Sequence, residues 1–334
     1  MNYQAFAATS TKVSTLCFGA MGLNFAFGNY EKADLFKAMH ACVEQGVNMF
    51  DTARIYGDSE SILGEFLKQV PANKIFVATK VSPGGDELNT GWGIPNPQKL
   101  AYPKGATIKS VEASLQALNV ERIDLVQLHQ YWAQYEDGDW YEELDALKRH
   151  GKIKHIGISI PDHRHDQAIS IVKSGLIDSV QSIVNIFDPL ALDSLVPICQ
   201  ENDVAFIARC VLDEGGLSGT LNASARFDAN DFRADYFSAD VLEEYLKRVE
   251  ALKRFIPEYA SNLAELALRF AISHPGITTA TVSMHVLAHA NSNIAAAQKG
   301  SLPSDVFEEI RRYDRWLHNL YQHKYFPEIH RKSA

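Results

Sequence analysis

The segment Val47–Lys80 reads VNMFDTARIYGDSESILGEFLKQVPANKIFVATK. It opens with the apolar run Val47 to Phe50 and closes with the β-branched run Lys74 to Lys80, both of strand length. Between them Ile62, Leu63, Phe66 and Leu67 recur at helical spacing behind Asp58 and Ser59, which suit an N-cap. A strand, a helix and a strand in that order predict a parallel pair, because parallel neighbours need a crossover connection.

Working outward, strand-like runs recur at Leu16 to Phe18, Asp124 to His129, His155 to Ser159, Ser179 to Val184, Ala205 to Cys210 and Thr278 to Ser283, which makes eight in all. Helical spacing returns at Leu35, Met39, Cys42 and Val43, and at Ile108, Val111, Leu115 and Leu118 behind Thr107, expected as an N-cap. Gly46, Gly151 and Gly175 stand where helices should stop. Eight strands alternating with helices predict an α/β fold, a (β/α)8 TIM barrel. The rival, an open doubly wound sheet, needs a G-x-G-x-x-G turn, and Gly19, Gly22 and Gly28 do not form one. With no linker or internal repeat, residues 1–334 are expected to form a single barrel domain. Long loops are expected after strand three (Val81 to Ala106) and strand seven (Val211 to Asp240), where loops of such length are usually functional. Val306, Ile310, Tyr313, Trp316, Leu317 and Leu320 suggest an amphipathic C-terminal helix over Ser304 to Tyr325.

Composition narrows the function. Of 334 residues, 32 are Lys or Arg and 41 Asp or Glu, a net charge of −9, and the basic residues are scattered. That argues against nucleic-acid and membrane partners. Hydrophobic residues at 46% and charged residues at 22% exclude a disordered chain. Cys17, Cys42, Cys199 and Cys210 have no C-x-x-C spacing and read as core thiols of a reducing compartment. No segment approaches ~18 uninterrupted apolar residues, and the expected location is cytoplasmic.

In a barrel of this kind the active site forms at the C-terminal ends of the strands. Strand two ends in Asp51, strand three in Lys80 and strand four in His129, with Tyr56 shortly after strand two. A Lys and an Asp turned into a barrel mouth must pair, and the fold gains little from such a pair. Carbonyl reduction needs such a set, since hydride arriving at carbon leaves negative charge on oxygen that a proton and hydrogen-bond donors must meet. Tyr56 could supply the proton, Lys80 lower the phenol pKa, Asp51 hold Lys80, and His129 donate to or orient the substrate oxygen.

At these positions the chain resembles the aldo-keto reductase family, and within it a bacterial subgroup. The resemblance lies in Phe50 to Glu60 followed by Leu63-Gly64, in Ala78-Thr79-Lys80-Val81, in Glu112 to Leu115 with Ile123 to His129, and in Gly151 to Ser159. It runs from about Lys12 to about Ala297 and implies an Asp51, Tyr56, Lys80, His129 tetrad with a nicotinamide dinucleotide, NADP(H) by family habit and NAD(H) as a second candidate. Gly19 and Met21 fall in its cofactor site. Ser159 and Gln181 match the carboxamide-binding Ser and Gln, while the family's Asn falls on Ile160. Its nicotinamide-stacking aromatic falls on Arg209, whose planar guanidinium can also stack. Asp213 to Gly219, including Glu214, Gly215, Leu217 and Ser218, is similar to the pyrophosphate loop. Ser283, His285, His289 and Asn293 occupy the place where NADPH-preferring relatives carry cations, and no Lys or Arg lies between Arg269 and Lys299. A weak NADPH preference that grows as pH falls toward 6 is therefore expected, with NADH also accepted.

Trp92, Tyr131 and Trp132 are candidates for a pocket that takes a small carbonyl or sugar-like substrate. Asp162-His163-Arg164-His165-Asp166 reads as a charged helix start, and no metal is expected. The alternative function is a nucleotide-binding regulatory or binding subunit with little turnover. Oligomeric state is not legible.

Overall fold

A short hairpin, β1 (Tyr3–Ala5) paired with β2 (Lys12–Ser14), precedes the barrel strands β3 (Leu16–Gly19), β4 (Met49–Asp51), β5 (Phe76–Val81) and β6 (Ile123–Leu128). These are followed by β7 (Ile153–Ser159), β8 (Ser179–Ile183), β9 (Ala205–Arg209) and β10 (Thr279–Ser283). In the computed structural model, which describes residues 1–24, 27–28, 30–71, 74–84, 95–228 and 231–317, β3 to β10 form a closed parallel barrel with β10 pairing β3. All eight expected strands are present, each within two residues of its expected ends.

Strand residues alternate between faces, so each strand feeds two cores. Leu16, Phe18, Phe50, Val77, Val126 and Ile156 face outward and bury against helices. Cys17, Met49, Phe76, Ala78, Leu125, Ala205 and Ile207 fill the interior, with Phe6 and Val13 of the hairpin region closing its N-terminal end. The Phe6 ring lies 4.8 Å from Phe76 and 5.0 Å from His155. This plug has no signature in the sequence, because three-residue strands, with Tyr3 to Ala5 exposed, are too short to show a period. Two residues further along each strand the interior turns polar: Asp51 follows Met49, Lys80 follows Ala78, and Gln127 follows Leu125.

Helix ends follow the glycines. Gly46, Gly151 and Gly175 have φ of 92°, 76° and 74°, the left-handed region open to Gly at little cost. Thr107 is a correction. The helix starts at Ala106, Thr107 is buried inside it, and the Glu143 carboxylate of a neighbouring helix accepts the Gly105 N–H at 2.5 Å. The C-terminal helix spans Ser304–Tyr313 only, and Tyr313 is exposed. Arg254 pairs with Asp314 at its end, and Trp316 leaves the helix to donate its N–H to Phe187 O at 2.9 Å. Leu320 lies outside the described residues. Among the described residues no helix is long and apolar enough to cross a membrane.

Candidate active site

At the C-terminal mouth, Asp51 on β4 and Lys80 on β5 meet across neighbouring strands. Lys80 Nζ donates to Asp51 Oδ2 at 2.5 Å and to Thr52 O at 2.8 Å, with the Lys80 residue 1% exposed. Gln127 Nε2 donates to the other Asp51 oxygen at 3.2 Å. The Lys80 ammonium is held upward in pKa: burial disfavours its charge, and Asp51 and, less strongly, Tyr56 together outweigh that. Gln127 was not expected, although it lies two residues before His129 and so shares its inward face. Its side chain fits because Gly157, opposite it, has no Cβ; one there would come within 3.1 Å of Gln127 Cγ.

Tyr56 is half-buried above this pair, its ring centre 5.2 Å from Lys80 Nζ and 5.6 Å from the His129 ring at an interplanar angle of 82°. Burial raises the phenol pKa; Lys80 and Arg209 lower it and Asp51 raises it, and the result is upward. Lys80 thus acts in the expected direction, and burial outweighs it. The phenol is protonated at neutral pH, as a proton donor must be. His129 is buried, and its pKa is held well below the ordinary imidazole value by burial, then by Lys80 and Arg209. A neutral imidazole offers one N–H donor.

The turn that carries Tyr56 is fixed from below. Arg54 Nη1 donates to Glu60 Oε2 at 2.6 Å, Thr79 Oγ1 donates to Glu60 Oε1 at 2.6 Å, and Thr52 Oγ1 and Ser59 Oγ lie 2.8 Å apart. Glu60 is 1% exposed, so this carboxylate joins the Tyr56 turn to β5 without reaching the mouth.

On the opposite side of the mouth the residues matched to a dinucleotide site come together. Ser159 on β7 and Gln181 on β8 are register partners, and both Ser159 Oγ and Gln181 Nε2 are buried with no hydrogen-bond partner. Unpartnered buried polar atoms are costly, and two side by side fit a polar ligand group such as a carboxamide. Arg209 ends β9; its Nη2 donates to Asp162 Oδ1 at 2.5 Å and to Ile160 O at 3.1 Å. Asp162 is thus a buried ion-pair partner, and its expected place among charged caps is corrected. Cys210 is corrected too: it is partly exposed, with φ of 53°, and its thiol lies 3.2 Å from Glu214 Oε1.

The turn Asp213–Ser218 holds Asp213, Glu214 and Gly215 at φ of 48°, 54° and 95°. Such left-handed residues turn successive N–H groups to one side, an arrangement that suits a phosphate. Asp213 anchors the turn by accepting from Tyr236 Oη at 2.5 Å and Tyr245 Oη at 2.7 Å. Leu217 is buried beneath it, Ser218 Oγ donates to Gly215 O at 2.5 Å, and Gly219 closes it at φ of 83°.

After β10, Ser283 O accepts from buried Asn293 Nδ2 at 3.4 Å, and His289 is exposed on the following helix. His285 is buried against Gly22 and the Tyr30 ring at 4.9 Å, and neither ring nitrogen has a partner. Burial and then His289 pull its pKa down to about 4. His285 is therefore neutral at pH 6 in the free protein. Gly19 ends β3 and Met21 lies in the turn that follows it, on the same rim.

Tyr131 and Trp132 are buried: the Tyr131 ring lies 6.4 Å from Tyr135 and 6.0 Å from Trp140, and Trp132 Nε1 donates to Gln130 Oε1 at 3.3 Å. Trp92 lies outside the described residues. Beside Tyr56 the exposed apolar group is Ile55, 54% exposed, whose position in the turn could have suggested it. Among the described residues no cluster suits a metal ion.

The sequence pattern of the aldo/keto reductase family matches residues 15–315. The chain is 27% identical over 285 residues to the aldo-keto reductase YhdN of Bacillus subtilis, covering 83% of this chain and 82% of the relative. It is 26% identical over 275 residues to the NADH-specific methylglyoxal reductase of Escherichia coli, covering 79% of this chain and 81% of that one. The solved glycerol dehydrogenase of Gluconobacter oxydans has the same fold, with a TM-score of 0.76 and 23% identity over 95% of this chain and 98% of its own. The chain belongs to the aldo/keto reductase family.

Proposed function

We propose that this aldo/keto reductase family member is an NAD(P)(H)-dependent reductase of small aldehydes or ketones, sugar-like ones included, with Tyr56 as the proton donor. The observation that carries the reading is the buried Lys80–Asp51 pair placed beneath Tyr56 and beside His129. A binding subunit has no need of a buried cation under a phenol, and the regulatory reading gives way on that point.

Ser159 and Gln181 would hold the carboxamide of a nicotinamide dinucleotide, and the turn Asp213–Ser218 its pyrophosphate. When bound, the reduced dinucleotide supplies the hydride. The chain's own part is to meet the charge that develops on the carbonyl oxygen. The Tyr56 O–H transfers its proton to that oxygen, giving the alcohol and leaving a phenolate. Lys80, its Nζ 5.2 Å from the centre of the Tyr56 ring, stabilises the phenolate, Asp51 and Thr52 O fix the ammonium, and the phenol is reprotonated from solvent for the next cycle. Neutral His129 donates to the substrate oxygen and orients it.

We place cofactor choice near balance. The positions after β10 carry no Lys or Arg to pair with a 2′-phosphate, and His285 is neutral. The NADH-specific relative shows that the family admits NADH. Oxidation of NADH and of NADPH by a panel of small aldehydes, ketones and sugars tests the reading. Turnover with at least one carbonyl supports it; dinucleotide binding without turnover on any of them supports the regulatory reading instead.

A further inference from the structure

We infer that Asp162 is a positioning residue that compensates the charge of Arg209 and thereby sets the balance between oxidised and reduced cofactor at this mouth. The inference rests on the dinucleotide reading above. Arg209 belongs to β9, yet its hydrogen bonds go to Ile160 O and Asp162 Oδ1 beyond β7. Since β8 lies between those strands, the guanidinium spans the open end of the strand that carries Gln181, beside the orphaned Ser159 and Gln181 groups. Its third contact, Nη1 to Cys210 Sγ at 3.3 Å, also uses an in-plane N–H. All three therefore grip the guanidinium by its edges, and none of them uses the faces on which a flat ring can stack.

A cation is a poor neighbour for one form of the cofactor. The nicotinamide ring is positively charged when oxidised and neutral when reduced, so a bare guanidinium beside it would select the reduced form. Arg209 does remain charged: burial disfavours its charge, and Asp162 first and then Cys210 together outweigh that. The side chains of Asp162 and Arg209 are 3% and 13% exposed, so water screens the pair little and Asp162 is the nearest counter-charge. Glu214 stands one contact further, behind the Cys210 thiol, which burial keeps protonated. Asp162 thus allows an arginine to serve as a stacking surface without penalising the oxidised dinucleotide, and the enzyme can bind both sides of the redox couple.

The test is the ratio of dissociation constants, oxidised over reduced, measured by titration of NAD⁺ and NADH, and of NADP⁺ and NADPH, with no carbonyl present. Asp162→Asn keeps the shape and removes the counter-charge, and should raise the ratio about tenfold. Arg209→Gln leaves the Asp162 carboxylate without its cation and should lower the ratio, while the double variant returns it to within about twofold of the wild type. A merely structural Asp162 would weaken both forms equally. Ratios that stay put in both single variants, or move in the same direction, overturn the inference alone; wild-type protein that binds no nicotinamide dinucleotide overturns the dinucleotide reading and the inference with it. Should Asp162→Asn fail to fold, the sign of the Arg209→Gln shift decides.

Discussion

The two sides of the barrel mouth are built on opposite rules. On the β4–β6 side the charged groups are already satisfied: Lys80 donates to Asp51 and Thr52, Gln127 closes the second Asp51 oxygen, and Glu60 ties Arg54 to Thr79. On the β7–β10 side Ser159 Oγ, Gln181 Nε2 and both His285 nitrogens are buried without partners. Native interiors leave few such atoms. The contrast teaches that one side is preorganised for charge that appears during a reaction, whereas the other is incomplete until something polar arrives.

Breaking the satisfied side should cost most. In Lys80→Met, Asp51 loses its cation while remaining buried, and such a loss is worth about 3–5 kcal/mol of stability, alongside loss of turnover. Denaturant unfolding and rate measurements on the same preparation check both. A variant as stable as the wild type would show that Asp51 is well solvated without Lys80.

The unsatisfied side should behave in reverse. Ser159→Ala with Gln181→Ala removes atoms that have no partner in the free protein, so unfolding of the free protein should stay within about 1 kcal/mol of the wild type beyond the small packing loss. Dinucleotide affinity should fall about 10-fold or more, since each hydrogen bond contributes on the order of 1 kcal/mol. Titration calorimetry beside thermal unfolding separates the two effects. If the free protein is destabilised and binding is unchanged, the contrast between the sides fails.

A smaller effect sharpens the contrast through pH. His285 has a folded pKa of about 4, below the unfolded value near 6.5, and His129 is also held well below it. Above pH 6.5 both are neutral in either state and the stability is fully present. As pH falls from 6.5 toward 4 the unfolded chain takes up protons that the folded one refuses, so stability declines. The part due to His285 is on the order of 3 kcal/mol by pH 4, and it should be missing from His285→Asn, measured by urea unfolding across that range.

Much of this layout was legible in the sequence because the barrel strands are short runs of apolar and β-branched residues whose ends carry the polar groups. Asp51, Tyr56, Lys80 and His129 could be assigned to one mouth on that ground alone. Asp162 could not be tied to Arg209, since the contact crosses the end of β8 between positions far apart in the chain, and a run of charges beyond a strand looks the same whether it caps a helix or pairs inward. The orientation of Tyr131 and Trp132 was hidden for a related reason. Following a strand locates the backbone at the mouth but does not say which way a loop side chain turns, and here Tyr131 turns into an aromatic cluster with Tyr135 and Trp140, while Trp132 lies under the Arg164 guanidinium and donates to Gln130. The N-terminal plug was hidden by its brevity.

The central claim, that Tyr56 is the proton donor of a carbonyl reductase, is tested most directly by Tyr56→Phe with a carbonyl that the wild type turns over. The phenyl ring keeps the packing against His129 and the approach of Lys80 while removing only the O–H. The account predicts a loss of turnover of about 10² to 10⁴-fold with dinucleotide affinity within about threefold of the wild type. Retention of more than about a tenth of the wild-type rate would contradict it.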